Sequence, residues 1–296
     1  MGLKEKIEEV AEGLEGTLGV AVKHLGTGEE VLINGDELFW MASTFKVPVI
    51  VTLYREMDGG KVSLDEKLVM TEYARVPGSG IIQQLTPGLE MTVRDYRTLM
   101  MIISDNTATD MMVELVGKEN VNKTMLQLGL KKTNISTCRE ILFETAGLSD
   151  IPSKDRTYKL YHEKARQRRA ERGPRKVERT LNNTTTPRDM MFLLEKLYRG
   201  EVASRSSCDE IIDLMKRCQT GENRLRKYLP RDEVEVAHKT GTVSGVVNDV
   251  GIVFPRGESP YIICCLAKDL TNHSAGEEAI ATVSKIVYDY FTSGGT

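Results

Sequence analysis

Aromatic residues make up only 6% of this 296-residue chain, so Leu, Ile, Val and the 13 Met must fill most of any core. No run of 18 or more apolar residues occurs, which excludes a conventional membrane-spanning helix. The formal charge is -3, too close to neutral for bulk attraction to nucleic-acid phosphates. The five cysteines (Cys138, Cys208, Cys218, Cys264, Cys265) are odd in number and form no C-x-x-C. Free thiols in a reducing compartment are the simplest expectation. The four histidines (His24, His162, His238, His273) lack metal-ligand spacing, so no metal site is expected. No glycine-rich phosphate-cradling motif occurs, and Gly241-Thr-Val-Ser-Gly245 lacks the spacing of a G-x-S-x-G nucleophile elbow. No cofactor is expected. The first residues, MGLKEKIEEVAEGLEG, carry apolar residues at helical spacing rather than the apolar core of a leader, which points to a cytoplasmic protein.

What is present has a clear order. A first helix holds Leu3, Ile7, Val10 and Leu14 on one face. Residues 17–24 and 30–34 read as a hairpin turned at Gly26-Thr-Gly28. Helical periodicity then runs through 46–57, 92–103, 106–116, 119–128 and 187–199. Residues 234–239, 246–253 and 261–267 read as three strands, and 275–291 as a closing helix. This predicts an α/β (α+β) fold with a five-stranded antiparallel sheet built from both termini. The terminal helices would cover one face and the helical middle the other. The expected division is an α/β unit of 1–40 with 222–296, and a mainly helical unit of 41–221. Adjacent Cys264 and Cys265 should point to opposite faces of their strand. Residues 153–180 hold 11 Lys and Arg against 4 Asp and Glu, and read as a basic insertion forming a solvated helix or mobile excursion; the sharper alternative is a lid or docking surface for an anionic partner.

Three short strings bear chemistry. In Trp40-Met-Ala-Ser-Thr-Phe-Lys-Val-Pro, an ammonium at Lys46 follows a hydroxyl at Ser43 by three residues in an otherwise apolar stretch. At that spacing the two share a helix face. A desolvated lysine loses its proton readily and can activate a weak nucleophile. The bland alternative is an N-cap serine with a snorkelling lysine. Ser104-Asp105-Asn106 lies between two apolar helices, where a second hydroxyl and an amide could face a cleft. Lys239-Thr240-Gly241 ends a strand, where a cation and a hydroxyl suit a carboxylate and the glycine lets a substrate backbone approach.

Together and in this order, S-x-x-K, S-D-N and K-T-G resemble the penicillin-recognising serine hydrolases, class A β-lactamases most closely. Thr184-Thr-Thr-Pro187 before a helix and His238 before Lys239 extend the resemblance over most of the chain. It implies a small-molecule substrate, a β-lactam or a related amide, peptide or ester, opened through an acyl-enzyme on Ser43. Lys46 would activate the serine, Ser104 would relay a proton, and Asn106 would bind the acyl side chain. Lys239 and Thr240 would hold the substrate carboxylate, with Gly241 beside them. The N–H groups of Ser43 and Thr242 would form the oxyanion hole.

The resemblance also implies a glutamate that activates the deacylating water, and here the pattern departs. Glu-x-x-Leu-Asn is absent; Glu140 lies 34 residues after Asn106 and is the candidate base, with Glu144 further on. Solvation, or pairing with Arg139, is its alternative role. An arginine expected on the strand after K-T-G is replaced by Asn248-Asp249, where Asp249 could buttress Lys239 or a nearby loop. His238 should face away from the cleft. A D-Ala-D-Ala peptidase-like or esterase activity, or a slowly deacylating sensor, are the alternatives.

Overall fold

A computed structural model describes residues 2–170 and 182–293. The elements run α1 (Leu3–Glu12), β1 (Thr17–His24), β2 (Glu30–Ile33), β3 (Phe39–Trp40), α2 (Lys46–Asp58), β4 (Lys67–Met70) and β5 (Leu89–Thr92). Then come α3 (Val93–Ile102), α4 (Asn106–Val116), α5 (Lys118–Gln127), α6 (Cys138–Thr145), α7 (Tyr158–Ala170), β6 (Thr184–Thr185), α8 (Pro187–Arg199) and α9 (Arg205–Lys216). The chain closes with β7 (Val234–Val243), β8 (Val246–Pro255), β9 (Tyr261–Lys268) and α10 (His273–Thr292).

The main sheet has the order β2-β1-β9-β8-β7, and every pairing is antiparallel. The five expected strands therefore form one sheet from both ends of the chain. The two faces of the sheet bury different cores. Leu3 and Ile7 of α1 and Ile280, Val283 and Val287 of α10 pack with Val20, Val22 and Cys265 on one face. On the other face, Ala21, Ile252 and Cys264 pack with the helical middle, including Ile50, Met112, Leu193 and Leu214. Cys264 and Cys265 fall on opposite sides, as the two-residue period of a strand requires. All five cysteines are free and buried.

Several structured pieces were not anticipated, among them β3, β6, the β4–β5 hairpin, α6 and α9, whereas α7 falls where a solvated helix was one expectation. The described part of the basic insertion holds a 3-10 turn (Ser153–Asp155) and α7, which makes contacts through its aromatic rings. Arg75 stacks over Tyr158 at 4.2 Å, and Tyr161 meets Phe143 of α6 at 5.6 Å. The rest of the insertion, 171–180, lies outside the described residues. Among the described residues, no helix is long and apolar enough to cross a membrane.

Candidate active site

Ser43 sits in a 3-10 turn, Ala42–Phe45, that runs directly into α2. In such a turn residues i and i+3 eclipse, so Ser43 and Lys46 share a face. Pro48 is the third residue of α2, within the first turn, where it removes no helical hydrogen bond. Ala42 has φ 46°, a strained value for a residue with a Cβ, directly before the candidate nucleophile. The T-T-T-P string explains how the turn is held. Its Thr184–Thr185 forms β6, which pairs with β3 just before Ser43. Asn183 O accepts from Met41 N at 2.9 Å, and Thr186 caps α8 by accepting from Asp189 N at 3.0 Å.

Ser104 lies on the corner between α3 and α4 with φ 59°, a second strained residue. Asp105 holds that corner, its carboxylate accepting from Ile81 N, Ile82 N and Ala108 N at 2.7, 2.9 and 2.9 Å. The strain presents Ser104 to both lysines. Lys46 Nζ donates to Ser104 O at 2.7 Å, Ser104 Oγ at 2.9 Å and Asn106 Oδ1 at 3.1 Å. Lys239 Nζ donates to Ser104 Oγ at 2.9 Å and Thr240 O at 3.0 Å. Both side chains are fully buried. Burial drives the Lys46 amine below its ordinary range, opposed by Cys138, Asp105 and Asp110. Burial likewise lowers Lys239 to about 7, opposed by Cys218. Two buried amines therefore converge on one hydroxyl, which favours moving protons between them.

Gly241 has a packing reason. A Cβ there would lie 2.4 Å from Met41 O and 3.0 Å from Ser43 N, so only glycine lets β7 press against the serine turn. Thr242 follows it on the exposed side of the strand end. The replacement of the expected arginine by Asn248-Asp249 is also resolved. Asn248 Nδ2 donates to Trp40 O and Met41 O at 2.7 and 2.9 Å, tying β8 to the same turn. Asp249 pairs with His238, whose Nδ1 lies 2.9 Å from Oδ1; it also accepts from Leu225 N at 3.4 Å. Thus Asp249 buttresses a loop rather than Lys239. His238 is fully buried and takes no direct contact with Ser104.

A guanidinium does reach this region, from a place the sequence did not suggest. Arg224, in the segment before β7, donates to Gly241 O at 3.2 Å, Asn248 O at 2.9 Å and Thr242 Oγ1 at 2.6 Å. It pairs with Glu277 of α10 at 3.1 Å. No periodic signal marks it; only the fold brings residue 224 beside residues 241–242.

In the structure, Glu140 has partners away from the two lysines of the site. It is the third residue of α6 and closes a capping box with Thr137, accepting from Thr137 N at 3.1 Å. Its carboxylate also takes Lys118 Nζ at 2.8 Å and Ser136 Oγ at 2.5 Å. No hydrogen bond or ion pair joins it to Ser43, Lys46 or Ser104. Although burial opposes ionisation, Lys118, Ser136 and Thr137 together hold the carboxyl below its usual range. Its ion partner is Lys118, not Arg139, whose guanidinium binds Arg156 O and Tyr73 O. Glu144, one turn further along α6, is buried. What meets Asn106 from this segment is Cys138, its Sγ 3.4 Å from Asn106 Oδ1. Burial raises that thiol far above its ordinary range, so it stays protonated. Asp110 fixes its position by accepting from Cys138 N and Arg139 N at 2.6 and 3.0 Å.

An antiparallel sheet backed by a helical layer, with a serine turn and two buried lysines meeting at the seam, defines the penicillin-recognising class of serine hydrolases. The chain belongs to the beta-lactamase enzyme family, whose model matches residues 2–291. It is similar to Beta-lactamase VEB-1 of Pseudomonas aeruginosa, with 26% identity over 97% of this chain and 89% of the relative. Extended-spectrum beta-lactamase PER-1 of the same organism is 27% identical, over 97% and 87%. Among solved structures, a beta-lactamase from Sphaerobacter thermophilus superposes with TM-score 0.79 and 28% identity, covering 98% of this chain and 97% of that one. A mutant of PBP-A, solved as an acyl-enzyme complex with penicillin G, gives TM-score 0.81 and 28% identity over 98% and 96%.

Proposed function

We propose that the chain is a serine hydrolase of the class A β-lactamase type, opening a β-lactam or related amide or ester through an acyl-enzyme on Ser43. The observation that carries this reading is the convergence of Lys46 and Lys239 on Ser104 Oγ, each at 2.9 Å, beside the Ser43 turn. Neutral Lys46 takes the proton of Ser43 as Oγ attacks the substrate carbonyl. Ser104, bonded to both amines, passes a proton to the leaving nitrogen. Ser43 N–H and Thr242 N–H receive the developing oxyanion, a contribution of about 2.7–4 kcal/mol per donor in comparable sites. Lys239 and Thr240 hold a substrate carboxylate, and Arg224 keeps the adjoining strand end in place and positively biased. Asn106 takes the acyl side chain.

The second reading, slow release of the acyl group, is favoured by one observation: Glu140 is committed to Lys118 and the α6 cap, and a neutral thiol stands beside Asn106. Under this reading acylation outruns hydrolysis, as in a sensor or peptidase. One experiment separates the two. Intact-protein mass spectrometry with penicillin G runs beside hydrolysis of a chromogenic cephalosporin, with Ser43→Ala as control. Rapid turnover without a lasting adduct supports efficient hydrolysis. A persistent one-to-one adduct absent from Ser43→Ala supports slow release. Neither adduct nor turnover overturns the β-lactam assignment.

A further inference from the structure

Behind the K-T-G strand lies a set of polar groups that acylation does not use. Cys218, buried at the end of α9, has its Sγ 3.3 Å from Thr220 Oγ1. Thr220 Oγ1 is in turn 2.6 Å from Thr240 Oγ1. Three groups, each with one transferable hydrogen, thus form a chain from a buried thiol to a hydroxyl assigned to substrate binding. The chain can run in either direction, because thiol and hydroxyl both donate and accept. Gly221 completes the packing: a Cβ there would strike Thr240 Cγ2 at 2.3 Å and would lie 3.4 Å from Asp249 Oδ2.

We propose that Cys218 and Thr220 are positioning residues that set the direction of the Thr240 hydroxyl, so that recognition of a substrate carboxylate depends on whether Cys218 carries its proton. This rests on the reading of Thr240 as a carboxylate ligand. As a thiol, Cys218 donates to Thr220 Oγ1, Thr220 donates to Thr240, and the Thr240 hydrogen is left for the substrate. As a thiolate, Cys218 accepts from Thr220, which then accepts from Thr240. Thr240 now turns only lone pairs toward the cleft, and these repel a carboxylate. The alternative acceptor for the thiol hydrogen, Thr220 O, is farther away at 3.8 Å.

The charges around Cys218 make both states accessible. His238 of β7 lies beside it, backed by Asp249 of β8, and Lys239 and Lys46 interact with it electrostatically. Arg226 donates to Cys218 O at 3.1 Å, Arg224 acts on the neighbouring Lys239, and Lys216 of α9 is turned away to Glu235. Arg217 next to it in sequence is exposed. Burial alone would raise the thiol, but His238 and Lys239 outweigh it and bring Cys218 to about 6. Burial opposes protonation of His238 as well, yet Asp249 holds that ring at about 9.

The test uses Ser43→Ala, which binds without acylating, titrated with penicillin G and its methyl ester between pH 5 and 8. Penicillin should bind about tenfold more weakly at pH 8 than at pH 5, the ester hardly changing. Lys239 also loses charge in this range, so the decisive variant is Thr220→Val, which cuts the chain and leaves Cys218 and Lys239 in place. It should flatten the part of the profile below pH 7, and Cys218→Ser should do the same. A Thr220→Val profile parallel to that of its parent would overturn the proposal. Absence of a penicillin adduct on native Ser43 would instead count against the proposed function. Reciprocity supplies a readout that needs no β-lactam. Saturating acetate should raise the titration midpoint of the Cys218 13Cβ resonance, and an unmoved midpoint would overturn the coupling.

Discussion

The corner at Ser104 and the start of α6 both approach Asn106, and they use their polar side chains in opposite ways. At Ser104, a backbone strained to φ 59° delivers one hydroxyl to two lysines. At α6, the backbone is an ordinary capped helix, and its glutamate is consumed by the cap and by Lys118. The difference shows that a carboxylate at a familiar distance along the chain is not thereby a base. Local capping, worth about 1 kcal/mol, is enough to claim it.

A single change has its largest effect at the serine turn. Ser43→Ala should abolish the penicillin adduct in intact-mass measurements, and Lys46→Ala should slow adduct formation by about 10³-fold or more while leaving Ser43 in place. At α6, Cys138→Glu sets a carboxylate beside Asn106 and Lys46. Loss of the adduct should then accelerate by about 10²–10⁴-fold if deacylation lacks only a base, read as adduct decay after excess penicillin is removed. Arg224→Ala would leave the Gly241, Asn248 and Thr242 oxygens without their shared donor and Glu277 without its partner. It should cost about 3 kcal/mol of stability in urea unfolding and raise KM more than it lowers kcat.

Lys239 gives a pH prediction with a definite sign. Its folded-state value of about 7 lies below the ordinary 10.5, so between those limits the unfolded chain binds more protons. Its contribution to stability therefore rises with pH from about 7 toward 10, while carboxylate binding falls over the lower part of that range. Lys239→Met should remove this rise and increase the melting temperature at pH 7 by a few degrees, at the expense of substrate binding. The smallest effect belongs to Glu140→Gln. It should leave adduct decay within about twofold of wild type and cost about 1 kcal/mol of stability through the cap and Lys118.

Much of the fold was legible because its signals are periodic. The three C-terminal strands and the helices 93–102, 106–116 and 187–199 announce themselves by apolar spacing. Cys264 and Cys265 fall on opposite sheet faces for the same reason. The α6 and α9 helices and the β4–β5 hairpin escaped because their stretches are short or polar-rich and gain order from the core they dock on. In the site, Ser43, Lys46, Ser104, Asn106 and Lys239 were legible as three ordered strings. Arg224 and the Cys218–Thr220–Thr240 chain were not, since nothing in their spacing links them.

The sequence by itself determined the order of strands and helices and the strings that hold the serine and the lysines. These depend on residue type and on separations of a few residues, which the backbone converts directly into shared faces. Only the tertiary structure decided that Glu140 serves a cap, that Cys138 meets Asn106, and that Arg224 reaches Thr242. Those outcomes depend on which of several competing partners lies within about 3 Å after the chain has folded, and hydrogen bonds and ion pairs are made or lost at that range.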